Sequence, residues 1–264
     1  MCPASRSVPL LLLAAALLAE DRPLGIRAEA TAVSRFVSHG FLVTDGPCLQ
    51  TGVTVDAALP GLRFLVWQSV TADRDQASKD EIAFRTIYGR IIGSGPTAID
   101  LHGYATYVVK PQTPSATPAQ AAEGLAFART SQWKFNLGAG LPSLLAAGPV
   151  TGGVAVDWFH WAPDPPGIFA AGSVVEPSAT LAIALPESWR DLGLQPLIVR
   201  TWADYHTGAF GVEPGWSNVD VGLILPLALG PTVTRLGVYG QRSLEESVAY
   251  EDAVWASLGC AVTF

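Results

Sequence analysis

Long runs of period-two alternation, each with one oily face and one nearly uncharged polar face, constrain this chain most. In Ser217 to Leu229 (SNVDVGLILPLAL), Val219, Val221, Leu223, Leu225, Leu227 and Leu229 share one face, and Asn218, Asp220, Gly222, Ile224 and Pro226 share the other. Gln132 to Leu141 repeats the pattern, with Trp133, Phe135, Leu137, Ala139 and Leu141 opposite Gln132, Lys134, Asn136, Gly138 and Gly140. In Thr97 to Val109, Ile99, Leu101, Ala105 and Tyr107 oppose Asp100, His102, Tyr104 and Thr106. A repeat of two is the side-chain period of a β-strand, so each segment has one face for each of two environments.

The polar faces decide which environments those are. A soluble sandwich would bury the oily faces against each other and show charge to water. Here the polar faces are rich in Gly, Ala, Ser and Thr with only one or two charges apiece, and only 15% of the chain is charged, against about 25% in ordinary soluble domains. Mean hydropathy is +0.32, yet beyond the N-terminus no stretch approaches the roughly 18 apolar residues of a spanning helix. The pattern therefore predicts an all-β fold, a transmembrane antiparallel up-and-down β-barrel with oily residues toward lipid and polar residues toward a lumen. A soluble exported β-sandwich that binds a ligand is the competing architecture. The net charge of −7 and pI of about 5.0 argue against a nucleic-acid partner.

Residues 1–30 read as a signal peptide and 31–264 as the barrel. Arg6 supplies a positive start, Val8 to Ala19 an apolar run, and Ala28-Glu29-Ala30 an A-x-A cleavage site. Of the three cysteines, Cys2 leaves with the leader. Cys48 and Cys260 fall near opposite ends of the barrel plan, too far apart to bridge. Twelve strands are expected near 33–43, 48–58, 61–70, 80–92, 97–109, 130–141, 150–161, 168–184, 194–206, 217–229, 232–243 and 250–264, an even number as bacterial single-chain barrels have. Tight turns (Leu59-Pro60-Gly61, Gly93 to Pro96, Gly230-Pro231) alternate with long or polar connections (Thr71 to Lys79, Lys110 to Arg129, His206 to Trp216, Ser243 to Glu251). Glu176-Pro177 interrupts the eighth strand and suggests a bulge or an edge break. The last strand carries Val254, Ala256, Leu258, Cys260, Val262 and Phe264 on one face, so the chain ends on a lipid-facing aromatic of the kind that outer-membrane insertion machinery recognises.

Several short motifs resemble outer-membrane porins of the TorF-like kind. An S-x-[YF]-V-x-x-G strand matches Ser34, Phe36, Val37 and Gly40, and a T-D-x-x-P turn matches Thr44, Asp45 and Pro47. A Q-x-G strand matches Gln50 and Gly52, and a G-L-x-x-x-x-W-x-S strand matches Gly61, Leu62, Trp67 and Ser69. Glu81-Ile82, the G-L-x-L-P-L run at Gly222 to Leu227 and the final G-x-x-x-[ST]-F at Gly259 to Phe264 also fit, while residues 110–215 match only in rhythm. The resemblance implies a small bacterial outer-membrane barrel with a channel, and it brings no substrate or catalytic residue.

Parity places Arg35, His39, Asp56, Arg85, Asp100, His102, Lys134, Asp157, Arg200, Asp204, His206, Asp220 and Arg235 on lumen faces. Arg85, Asp100, His102, Lys134, Arg200, Asp204, Asp220 and Arg235 are the candidates for a constriction. Their mixed signs give no ion preference. They read either as cross-strand ion pairs that fill the lumen, with Asp220 and Arg235 on adjacent strands, or as a filter for small polar solutes. Trp67, Tyr88, Tyr107, Trp133, Trp158, Trp161, Tyr205, Trp216, Tyr250 and Trp255 suit interfacial girdles. Of the four histidines only His160 points to lipid, and no G-x-S-x-G, H-E-x-x-H or C-x-x-C motif occurs. No enzyme, cofactor or metal site is expected. The expected function is a narrow porin-like channel in the bacterial outer membrane for passive diffusion of small polar solutes. A barrel with a filled lumen, serving as a surface anchor or binding protein, is the alternative.

Overall fold

The computed structural model describes residues 25–39, 41–73, 80–110, 130–164, 171–209, 213–245 and 252–264. Its strands are β1 (Ile26–Val33), β2 (Phe36–Ser38), β3 (Phe41–Thr44), β4 (Cys48–Asp56), β5 (Leu62–Thr71), β6 (Glu81–Ile92) and β7 (Ile99–Lys110). They continue as β8 (Thr130–Ala147), β9 (Val150–Asp164), β10 (Gly172–Ile183), β11 (Leu197–His206), β12 (Gly215–Leu229), β13 (Thr232–Ser243) and β14 (Ala253–Thr263). Twelve of them form one closed antiparallel barrel, in which every strand pairs with its chain neighbours and β1 closes the ring on β14. Closure leaves no open sheet edge, the condition for a sheet to lie in hydrocarbon.

The faces divide as parity requires. On β14, Val254 is 70% exposed while its neighbour Trp255 is 8% exposed. Leu137, Val156, Leu223, Leu236, Val238 and Leu258 all stand on the outer wall, while Asn136, Asp157, Asp204 and Asp220 are buried inside. This outward oily wall excludes the soluble sandwich, in which those residues would be enclosed.

The first strand is not at 33–43. β1 takes Ile26–Val33 instead, pairing with β14 on one side and β4 on the other. Arg27 and Glu29 face inward and form an ion pair at 3.0 Å, so this charged stretch satisfies the same in–out rule as its neighbours. A boundary at residue 30 therefore falls inside β1. Residues 1–24, with the apolar run expected to belong to a signal peptide, lie outside the described residues. After β1 comes a small separate hairpin, β2–β3, which replaces a connecting loop and folds into the lumen. His39, at its tip, has φ +49°, a left-handed conformation that His adopts more readily than most side chains.

β10 also departs from expectation. It runs unbroken from Gly172 to Ile183 and pairs with β9 along its whole length. Pro177 lacks an N–H, so the ladder to β11 skips Glu176 and Pro177 rather than breaking. Gly61 in the tight β4–β5 turn has φ +87°, and a Cβ there would strike the carbonyl oxygen of Gly89, so only glycine suits the position. Between β10 and β11 lies a one-turn helix, Glu187–Arg190, and the segment after it is tied to β12 by the Leu194–Leu227 bridge. Cys48 and Cys260 are free thiols, one buried and one exposed on the outer wall.

Candidate functional site: the lumen and its infolded hairpin

The order of strands around the ring puts β9 diametrically opposite β1. The hairpin leaves the wall at the end of β1, and its tip reaches β8, β9, β10 and β11, so it crosses the full bore. Phe36 packs on Trp67 near its base, with ring centroids 5.9 Å apart. The His39 ring lies 4.2 Å from Phe159 and 5.0 Å from Trp161 at the far wall, and Phe41 meets His206 edge-on at 5.4 Å. Phe159, Trp161, Val174 and Ala209 form a buried apolar cluster, with Tyr104 against it. Among the described residues, this apolar core lies inside the lumen, around the hairpin tip. A cavity of about 540 Å³ remains between the hairpin and the β5–β9 wall, bordered by Glu81, Arg85 and Lys134 among others.

Seven of the eight predicted constriction residues fall into three groups. Lys134 on β8 donates from Nζ to His39 Nε2 at 2.7 Å and sits 4.9 Å from the ring centres of both Phe159 and Trp161. Arg85 on β6 stacks over Tyr104 at 4.2 Å and donates to Thr106 Oγ1 at 2.8 Å. These two cations thus rest on aromatic faces, a favourable setting for charge in a partly dry lumen.

A second group contains His102, Asp100 and Asp157. The ring of His102 lies between two carboxylates, with Nδ1 3.1 Å from Asp100 and Nε2 2.9 Å from Asp157. The Asp157 oxygen also accepts from Asn136 Nδ2 at 2.8 Å. His102 and Asp157 are on β7 and β9, on either side of Gly138 of β8. They can meet because Gly138 has no side chain: a Cβ there would collide with both.

The third group holds Arg200, Asp204 and Asp220. Arg200 donates to Glu176 Oε1 at 2.8 Å and stacks by Trp202 at 5.2 Å. Asp204 is fully buried and accepts from Asn218 Nδ2 at 2.9 Å, and the same amide also contacts Asp220. A register shift between Asp204 and Tyr205 leaves Ser217 as an extra residue. This bulge buries Ser217 and Asn218 side by side, and Ser217 Oγ donates to the Asp204 carbonyl at 3.1 Å.

Arg235 joins none of these groups. The register sets Asp220 opposite Gln241 and Arg235 opposite Pro226, so the expected Asp220–Arg235 pair does not form. Arg200 turns to Glu176 rather than to Asp204. Glu176 is absent from the sequence-based set because the proline after it signals a break; the parity of Val174, Ser178 and Thr180 on the same strand places it inward. Trp67, Trp161 and Trp255 also point into the lumen rather than to an interfacial girdle. Tyr88, Tyr107, Trp133, Trp158, Tyr205 and Trp216 do face out, while Tyr250 lies outside the described residues. Trp255 stacks on Tyr239 at 5.3 Å, filling the wall side away from the hairpin tip.

Comparison with solved structures finds the same architecture. The NanC porin superposes with a TM-score of 0.52 at 6% identity, over 90% of this chain and 100% of that one. The KdgM porin gives 0.50 at 5% identity, over 90% and 99%, and LpxR from Salmonella typhimurium 0.52 at 8%, over 91% and 100%. The fold is that of bacterial outer-membrane barrels. No known family and no curated protein matches the chain, so the resemblance to TorF-like porins rests on its motifs alone.

Proposed function

We propose that the chain is a porin-like channel of the bacterial outer membrane, passing small polar solutes by diffusion along a narrow route beside the β2–β3 hairpin. The observation that carries this reading is the cavity between hairpin and wall, bordered by Glu81 and Arg85 of β6 and by Lys134 of β8. Both signs of charge border it, which favours small dipolar or zwitterionic solutes over a single ion class. The NanC and KdgM neighbours, both named as porins, support it at the level of fold. No catalytic role is proposed for any residue.

The filled-lumen alternative has its own support, because the hairpin tip reaches the opposite wall and packs there. Planar-bilayer recording of the refolded protein separates the two. A channel shows small discrete steps in the wild type, and replacing residues 36–44 with a short Gly-Ser link enlarges them. Silence from both proteins would leave the anchor reading standing.

The leader is proposed to end before Ile26, not at Ala30. Cutting at Ala30 would remove Ile26 to Ala30 from a strand bonded on both sides and open the ring in lipid. Phe264, 76% exposed at the end of β14, is proposed as the signal read by the insertion machinery. Deleting it should leave the protein in the periplasm.

A further inference from the structure

We infer that the hairpin tip is one half of a divalent-cation site, formed by His39 Nδ1, Glu176 Oε2 and Asp204 Oδ1. His39 Nδ1 lies 3.5 Å from Glu176 Oε2 and 3.7 Å from Asp204 Oδ1, and one ligand atom from each of the three residues lies within 4.8 Å of the others. These separations are long for hydrogen bonds. They match the edges of a coordination shell, since donors about 2.1 Å from a tetrahedral zinc stand about 3.4 Å apart.

The other atoms of the same side chains behave as supports. Glu176 gives its second oxygen to Arg200 at 2.8 Å. Asp204 gives its second oxygen to Asn218 at 2.9 Å. Each carboxylate is thereby turned so that the remaining oxygen faces His39, the arrangement by which outer partners orient metal ligands. The His39 ring is wedged between Phe159 and Trp161. Among the described residues, His39 Nδ1 and Asp204 Oδ1 are buried without a hydrogen-bond partner, and Asp204 is fully buried. Two buried polar atoms left unsatisfied beside a third donor call for a ligand.

One nitrogen and two carboxylate oxygens suit zinc or a neighbouring first-row ion, with water completing the shell. Bound there, the ion would tie the hairpin tip to β10 and β11 across the bore. Lys134 opposes it. Its Nζ bonds His39 Nε2 at 2.7 Å, and an ammonium so close repels a cation and favours the wrong ring tautomer. Sequence spacing could not reveal the site, because its three donors come from the hairpin turn and from two strands, β10 and β11. The inference rests on the position of the hairpin and not on transport, so a silent bilayer record leaves it intact.

The test is calorimetric titration of zinc, and absorption titration of cobalt, into the untagged, refolded barrel in detergent. One ion per chain is expected to bind, with tetrahedral cobalt bands. His39→Ala, Glu176→Gln and Asp204→Asn should each weaken binding at least about tenfold. Lys134→Met should tighten it, and His102→Ala, which removes the other carboxylate-flanked histidine, should leave it unchanged. Heat-modifiable migration on gels confirms that each variant is a closed barrel. Absence of stoichiometric binding to both the wild type and Lys134→Met would overturn the site, as would binding that survives in folded Glu176→Gln and Asp204→Asn.

Discussion

Replacing Gly138 with alanine inserts one methyl group where the structure has no room for it. The new Cβ would contact His102 Nε2 and Asp157 Oδ1, the two atoms that meet at 2.9 Å across the face of β8. The backbone of Gly138 is paired on both sides and cannot retreat, so the side chains must separate. A hydrogen bond to a charged group contributes about 1.5–3 kcal/mol, and both partners are mostly shielded, at 28% and 12% exposed. Against this, alanine is favoured over glycine in a strand by about 0.5–1 kcal/mol. The net loss is about 1–2 kcal/mol, roughly five- to thirtyfold in the folding equilibrium. Urea unfolding in lipid vesicles, followed by tryptophan fluorescence, measures it. In a His102→Ala background only the collision with Asp157 Oδ1 remains and there is no His102–Asp157 contact left to break, so the same substitution should cost less than in the wild type. Equal effects in the two backgrounds, within about 0.5 kcal/mol, would refute the argument that the glycine exists to let His102 and Asp157 meet.

Four other outcomes are expected. Leu223→Arg, on the outer wall, should destabilise the barrel in vesicles by about 2–4 kcal/mol if the site is near the midplane, while Leu223→Phe should not; the same urea titration reads both. Arg200→Ala strips the buried Glu176 carboxylate of its charged partner and should cost about 1–3 kcal/mol, whereas Arg235→Ala should stay within about 0.5 kcal/mol. Mass spectrometry of the mature protein should find a chain that still contains Ile26 to Ala30; a mature chain starting at residue 31 would contradict the role of β1. In bilayers, shortening the hairpin should raise conductance more than Arg235→Ala, because the hairpin crosses the bore and Arg235 pairs toward the tight Gly230-Pro231 turn.

Much of the architecture was legible because alternation is local. Each strand carries its own in–out code, so Val219, Leu223 and Phe135 announced the outer wall, and Asp220 and Lys134 the lumen, without knowledge of any partner strand. The misplacement of the first strand came where a local signal served another purpose. Ala28-Glu29-Ala30 has the form of a cleavage site, and it masked a strand whose Arg27 and Glu29 point inward. The stretch from Val33 to Val43 alternates well enough for the wall, although the His39-Gly40 pair was a turn signal within it.

The amino-acid order alone thus determined that this is a β-barrel and how its walls face, since a period of two and the lack of a spanning helix admit little else. Only the tertiary structure decided which residues meet inside. Register sets Glu176 and Asp204 side by side on the paired strands β10 and β11, and closure of the ring brings His39 to them from a turn far earlier in the chain, with β2–β3 folded into the bore instead of the wall. Both depend on long-range pairing, which parity along a single strand does not encode.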